Sequence, residues 1–216
     1  MGLPNYSQAG QDVWVHKKTA DIERQKTFLE IGACNGLDFS NTKMLEDSHG
    51  WTGALVEPHK GMFAQLRRNR PNCKLSNACI DHTAHTVDFW ERNSWISGIV
   101  AEDTDQLKAR YLEQRREAQK KGHIQPRETR TLVSVLRELG MPKLIDYFSL
   151  DVEGAEHRIL TTAVLDEYRF NIIGVERPKG VLCDRLQGYG YRPVYEIPGL
   201  DVFYLHKRFP ILDPEE

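Results

Sequence analysis

The stretch that decides the fold is TFLEIGACNGLDFSNTKMLE, residues 27–46. Its first part, Thr27 to Gly32, is a short apolar run of the kind that forms a buried strand. Ala33-Cys34-Asn35-Gly36 breaks that run, and Ser40-Asn41-Thr42 precede a helical pattern carrying Met44 and Leu45. Strand, glycine turn and helix start, in that order, make a nucleotide-handling turn. A glycine at a strand end lets the backbone approach a ligand that any Cβ would push away.

Working outward, further strand-like runs fall at GALVEP (53–58), CKLSNACI (73–80), TVDFWE (86–91), LIDYFSLDV (144–152), FNIIGVE (170–176), YRPVYEI (191–197) and DVFYLHK (201–207). Helical patterns over 41–47 and 61–69 separate the early ones, the second with Met62, Phe63 and Leu66 on one face. This alternation predicts an α/β fold with a mostly parallel sheet and helices on both faces. Pro198-Gly199 is too short for a crossover, so the last two strands form an antiparallel hairpin. Parallel strands closed by such a hairpin describe the class I methyltransferase variant of the Rossmann-like sheet. One segment breaks the alternation: residues 102–121 are highly charged and rich in helix formers, with a narrow stripe of Leu107, Tyr111 and Leu112. They predict a helical insertion in a single domain spanning 1–216. It is either a solvated surface helix or an arm whose Arg110, Arg115 and Arg116 meet an anionic or sugar-bearing substrate.

The spacing at the turn is Glu30-x-Gly32-x-x-x-Gly36, not the GxGxxG that seats a pyrophosphate. A methionine-bearing cofactor has no pyrophosphate, so the looser pattern suits S-adenosylmethionine better than NAD. Glu30 lies where a carboxylate orients the methionine amino group. Glu57 ends the next strand, where an acid accepts both protons of a ribose diol; a solvated strand end before Pro58 is the alternative. Asp81 follows the third strand, placed either to accept from the adenine amine or as an ordinary loop residue.

SQAGQD (7–12), FLEIGACNGLDFSNTKMLE (28–46), GWTGALVEPHKGMFAQLRRNRP (50–71), SWISGIV (94–100) and SLDVEGAEHRIL (149–160) together resemble the FkbM-type methyltransferases. The resemblance implies an S-adenosylmethionine-dependent class I fold and O-methylation, often of sugar or polyketide-type hydroxyls. It carries Gly32, Gly36, Asn41 and Glu57 over as cofactor contacts. The acidic residue usual after the loop alanine is Asn35 here, which keeps hydrogen-bonding capacity without charge. Gln8, Gln11 and Asp12 either close over the cofactor or cap a helix.

Methyl transfer to an aliphatic hydroxyl needs alignment, removal of the proton and exclusion of water. LDVEGAEH places Asp151, Glu153, Glu156 and His157 at or past the end of a buried strand, and Glu176 ends the neighbouring one. In one mechanism Asp151 or His157 is the general base, with Glu153 beside it. In the other, Asp151 and Glu176 hold Mg²⁺, which relieves the repulsion of two strand-tip carboxylates; this weighs slightly for the metal. Glu153 and Glu156 also suit the first turn of a helix. Trp90, Trp95 and the NSWISG loop offer faces for a sugar, with core packing the alternative for Trp90. Trp51 packs at the entrance of the second strand.

Composition narrows the partners. The chain has 216 residues, 40% hydrophobic and 28% charged, with net charge −2. No global basic field points to nucleic acid or an anionic membrane. The N-terminal stretch lacks the layout of a signal peptide, and no apolar run reaches the length of a membrane span. Cys34, Cys73, Cys79 and Cys183 form no CxxC pair, so free thiols in the cytoplasm are expected. The expected partner is a small-molecule or saccharide acceptor. N- or carboxyl-methylation, and a non-catalytic cofactor-binding protein of the same fold, are the alternatives.

Overall fold

The computed structural model describes residues 6–92 and 95–212. Its strands are β1 (Thr27–Ile31), β2 (Thr52–Val56), β3 (Lys74–Ser76), β4 (Cys79–Ile80), β5 (Thr86–Trp90), β6 (Gly98–Ile99), β7 (Ile124–Arg130), β8 (Leu144–Leu150), β9 (Arg169–Glu176), β10 (Tyr191–Glu196) and β11 (Asp201–His206). The helices are α1 (Gln11–Lys18), α2 (Lys43–His49), α3 (Lys60–Asn69), α4 (Leu112–Lys120), α5 (Leu132–Glu138), α6 (Glu156–Ile159), α7 (Thr162–Glu167) and α8 (Gly180–Gly188).

The main sheet has seven strands in the order β10-β11-β9-β8-β1-β2-β3. β3, β2, β1, β8 and β9 run parallel, β11 adds antiparallel to β9, and β10 pairs antiparallel with β11, as the short Pro198-Gly199 link requires. The chain leaves β1 toward β2 and β3, then returns to the other side of β1 as β8. The crevice outside the carboxyl ends of β1 and β8 is therefore the topological switch point, where open α/β sheets bind ligands.

Side chains alternate across the strands and so feed two cores. Leu29, Val56, Phe148 and Ile173 face one layer with Val135, Leu136 and Leu186. Their neighbours Phe28, Leu55, Tyr147 and Ile172 face the other, with Val15, Met44, Leu45 and Leu66. Trp51 is buried in this second layer, and Phe63 packs against it. β8 is buried along its whole length, as a central parallel strand must be.

Two expectations change. CKLSNACI is not one strand: Asn77 Nδ2 donates to the Glu57 and Pro58 carbonyls and splits it into β3 and β4. β4 joins a second, four-stranded sheet, β4-β7-β5-β6. This sheet escapes a sequence reading because β7, IQPRETR, has no alternation and carries a proline. The charged segment is helical only over α4. Ahead of it lie 3₁₀ turns at Asp105–Leu107 and Ala109–Tyr111, with Asp105 and Gln106 buried. Arg115 donates to the Gln106 carbonyl, Arg116 pairs with Glu113, and Arg110 stacks on Tyr111. These contacts use the arginines within the arm. No helix of the described residues is long and apolar enough to cross a membrane.

A buried polar knot ties β1 to α2 and α3. Glu30 accepts from the Asn41 N–H at 2.9 Å, from Ser40 Oγ at 3.0 Å and from Thr42 Oγ1. Arg70, fully buried after α3, donates to the Gly36 carbonyl, Ser40 Oγ and Thr42 Oγ1, and pairs with Glu46. Desolvation raises the Glu30 carboxyl, and Arg70, 3.9 Å away, counters it. Removing one partner of a buried pair typically costs about 3–5 kcal/mol. Arg70→Met is therefore expected to destabilise the protein by about that amount in chemical denaturation. A loss well under 1 kcal/mol, the ordinary size for a surface pair, would contradict the assignment.

Candidate active site

The carboxyl edge of the main sheet and the inner face of the second sheet enclose a cavity of about 370 Å³. Gly32 and Glu57 line it from β1 and β2, Ile80 and Phe89 from the second sheet, and Asp151 and Glu176 from the ends of β8 and β9.

The loop after β1 is shaped by sterics. Gly32 has φ +87°, and a Cβ there would lie 1.8 Å from the Asp151 carbonyl oxygen. At Gly36, with φ +75°, a Cβ would strike Leu66 and Arg70 at 2.4 and 2.7 Å. Both glycines serve close packing: Gly32 brings the loop against the end of β8, and Gly36 lets it lie on α3. Gly36 does not line the cavity. Asn35 also points away, its Oδ1 accepting from the Leu37 and Asp38 N–H groups. Cys34, Phe39, Glu153 and Arg177 have positive φ without being glycine, and all of them line this cavity. Such backbone conformations are costly and collect at functional sites.

Glu57 lines this cavity. Its carboxylate is 4% exposed and accepts from the Cys34 N–H at 2.8 Å and the His59 N–H at 2.7 Å. No cation pairs with it among the described residues. Burial pushes its pKa up to about 7. It is a buried acceptor with lone pairs left for ligand donors, which suits a ribose diol. Gln8 lines the cavity. Gln11 and Asp12 do not: Gln11 donates to Asp201 and Asp12 accepts from Ser7 at the start of α1.

Other candidates are engaged elsewhere. Glu30 touches the cavity, but both its oxygens hold the segment 40–42, so its role is to brace the loop. Asn41 lies behind it and donates to Ser149 Oγ at 3.0 Å. Asp81 is gripped by Arg158 at 2.6 and 3.0 Å and by His82 at 2.7 Å. Desolvation would raise its pKa, but those hydrogen bonds hold it below the ordinary value. It is therefore closed to an adenine amine, and Ala78, Cys79 and Ile80 form that wall. His157 is drawn outward onto Asp103 at 2.8 Å and does not line the cavity. Glu156 accepts from the Val152 and Gly154 N–H groups and shapes the turn after β8.

What remains is an acidic trio. Carboxylate oxygens of Asp151, Glu153 and Glu176 lie within 4.8 Å of one another. Burial, then the charges of Glu176, Glu153 and Glu156, raise the Asp151 carboxyl well above its ordinary range. Glu153 is pushed up to about 7, again mainly by burial. Asp151 and Glu176 face each other from neighbouring strand ends, and the buried Glu176 Oε2 has no hydrogen-bond partner among the described residues. Three carboxylates would suit Mg²⁺ by chemistry. Here Arg177 holds the cationic place, 2.6 Å from Glu176, 3.3 Å from Glu153 and 3.5 Å from Asp105. A cation would have to displace it, so the slight weight given to Mg²⁺ on Asp151 and Glu176 is withdrawn.

At the mouth, Phe39 and Trp95 are 54% and 38% exposed and meet edge to face at 5.6 Å. Asn93 and Ser94 of the NSWISG loop lie outside the described residues. Trp90 is core, with the Arg92 guanidinium over its ring and Tyr111 edge-on to it. Tyr111 and Arg177 were missed as wall residues. For Arg177, its place directly after Glu176 was the available signal; for Tyr111, it was membership of the narrow apolar stripe in the charged arm.

A family model described as the methyltransferase FkbM domain matches residues 30–193. No curated protein sequence matches the chain. Among solved structures, a METTL16 MTase domain aligns with TM-score 0.50 at 11% identity, over 90% of this chain and 65% of that one. The precorrin-6y C5,15-methyltransferase from Geobacter metallireducens GS-15 gives TM-score 0.48 at 11% identity, over 93% and 88%. At such identity the METTL16 likeness speaks for the fold alone, and this chain spans about two thirds of that domain's length. The family match runs from Glu30 in β1 to Pro193 in β10, taking in the glycine loop, Glu57 and the acidic trio, so this chain belongs to the FkbM family of S-adenosylmethionine-dependent methyltransferases.

Proposed function

We propose that the protein methylates a hydroxyl of a saccharide or glycosylated metabolite. The observation that carries this is the Asp151–Glu176 carboxylate pair on the cavity wall, where an acceptor hydroxyl would lose its proton. S-adenosylmethionine supplies an electrophilic methyl group when bound. Glu57 orients the ribose end, and the Gly32 loop closes the backbone over the cofactor. Asp151, made more basic by burial and by its acidic neighbours, takes the hydroxyl proton. Arg177 pins Glu176 and Glu153 beside it. Phe39 and Trp95 offer an apolar face to a sugar ring at the entrance. An amine acceptor would need less help with deprotonation than this arrangement supplies, so hydroxyl transfer is the reading it favours.

Asp151→Asn keeps the shape of the side chain but cannot take a proton. Turnover should fall by roughly 10²-fold or more, the usual span for a lost general base, with cofactor binding by calorimetry largely retained. Excess chelator should leave the wild type active. Full activity in Asp151→Asn would remove the base assignment, and silencing by chelator would restore the metal.

Glu57→Ala should weaken S-adenosylmethionine by at least about tenfold, since hydrogen bonds to a charged group contribute about 1.5–3 kcal/mol. The wild-type affinity should fall as pH drops below about 7, where Glu57 protonates. Its pKa is raised on folding, so its contribution to the unliganded protein is fully present below about 4.5 and lost as pH rises through about 7. Glu57→Gln should flatten both profiles. Calorimetry and thermal melts across that range check this, and an unaltered affinity profile in Glu57→Gln would take the acid off the ribose.

A further inference from the structure

A second cavity, of about 230 Å³, opens at the opposite edge of the main sheet. Its polar lining is basic: Arg169 from the start of β9, His206 from the end of β11, and Lys207 and Arg208 just beyond. No carboxylate lines it among the described residues, in a chain whose net charge is −2. Leu165, Tyr191 and Ile211 form apolar walls. β9 runs from Arg169 here to Glu176 at the methyltransferase cavity, so about 23 Å separates the two at the usual rise per strand residue.

The neighbouring acids are committed elsewhere. Glu167 is tied to Arg137 and Lys143, and Asp166 accepts from the Tyr189 hydroxyl at 2.7 Å. Arg185 is spent on the His157 and Leu160 carbonyls. Arg169 uses Nη1 on the Leu165 and Tyr168 carbonyls, and neither its Nη2 nor its Nε has a recorded partner. His206 is 8% exposed, with its ring edge-on to Tyr191 at 5.1 Å. Its Nδ1 accepts from the Arg208 N–H at 3.2 Å, which leaves the proton on Nε2 as a donor. Arg169, Lys207, Arg208 and His206 form no ion pair with a carboxylate among the described residues.

We propose that this cavity binds a phosphate-type dianion, free or as the terminal group of a small phosphate ester, between the Arg169 guanidinium, the His206 Nε2–H and the Lys207 and Arg208 side chains. Converging cations with an imidazole donor, in a concavity with apolar walls, are the elements of phosphate recognition. The site is independent of the methyltransferase reading, because nothing in it touches the first cavity.

Burial, then Arg169, Lys207 and Arg208, hold the His206 pKa below its ordinary value. A bound dianion reverses the effect of those cations. The test follows the His206 ring by NMR across pH in the full chain, with inorganic phosphate, glucose 1-phosphate or chloride at matched ionic strength. Phosphate should raise the titration midpoint by about one pH unit, equivalent to about tenfold tighter binding to the protonated ring. Lys207→Ala/Arg208→Ala, both exposed positions, should remove most of that rise, and Arg169→Gln the rest. A larger rise with glucose 1-phosphate assigns the ester, and an equal one the free ion. No rise with either phosphate, the same rise with chloride, or a rise unchanged in the double variant would overturn the proposal.

Discussion

The Glu30 carboxylate sits in β1, an interior strand of the main sheet, 4% exposed, and the rest of the site is arranged around keeping it there. An ionised acid in that position is tolerable only with hydrogen bonds and a counter-charge. The segment 40–42 supplies the hydrogen bonds, and Arg70 supplies the charge from the far end of α3. Glu46 of α2 holds the same guanidinium, and Phe28 of β1 lies under it at 5.4 Å. One polar knot thus ties β1, α2 and α3 to the loop that opens the methyltransferase cavity. Gly36 follows from it, because the loop must lie against Arg70. The left-handed conformations of Cys34 and Phe39 can persist because both ends of the loop are fixed.

The same logic of burial sets the chemistry. Glu57, Asp151, Glu153 and Glu156 are all raised, each chiefly by desolvation. Carboxyls in that state are poor at stabilising a fold at neutral pH and good at exchanging protons near it. A single guanidinium, Arg177, stands among the trio, and Lys179 clamps the turn after β8 through the Gly154 carbonyl at 2.8 Å. The start of the charged arm completes the clamp: the Asp105 N–H donates to the Glu153 carbonyl at 3.0 Å, and Gly154 has no room for a side chain beside it. The segment that reads as either a surface helix or an arm toward the substrate therefore supports the acid pair with its first turn and lends Tyr111 to the cavity wall.

The second sheet explains why the site has two kinds of wall. The carboxyl edge of the main sheet carries the ionisable groups, whereas β4, β5 and β6 bring Ile80, Phe89 and Ile99. Apolar cover of this kind excludes water from the cavity and strengthens the charges opposite it.

Local pattern alone determined the parallel strands, the glycine turn, the closing hairpin and the strand-tip acids Glu57, Asp151 and Glu176. Each follows from a short-range rule, a period of two in the side chains or the need for glycine in a tight turn. Only the tertiary structure decided what the acids do. Glu30, Asp81 and His157 look as available in the sequence as Glu57, yet Arg70, Arg158 and Asp103 occupy them from 40, 77 and 54 positions away. Whether a carboxylate is a ligand or a brace depends on the partner that long-range packing brings to it. A polar strand such as β7 becomes a strand only when β5 supplies its hydrogen bonds. Those pairings are made across space, and no spacing along the chain records them.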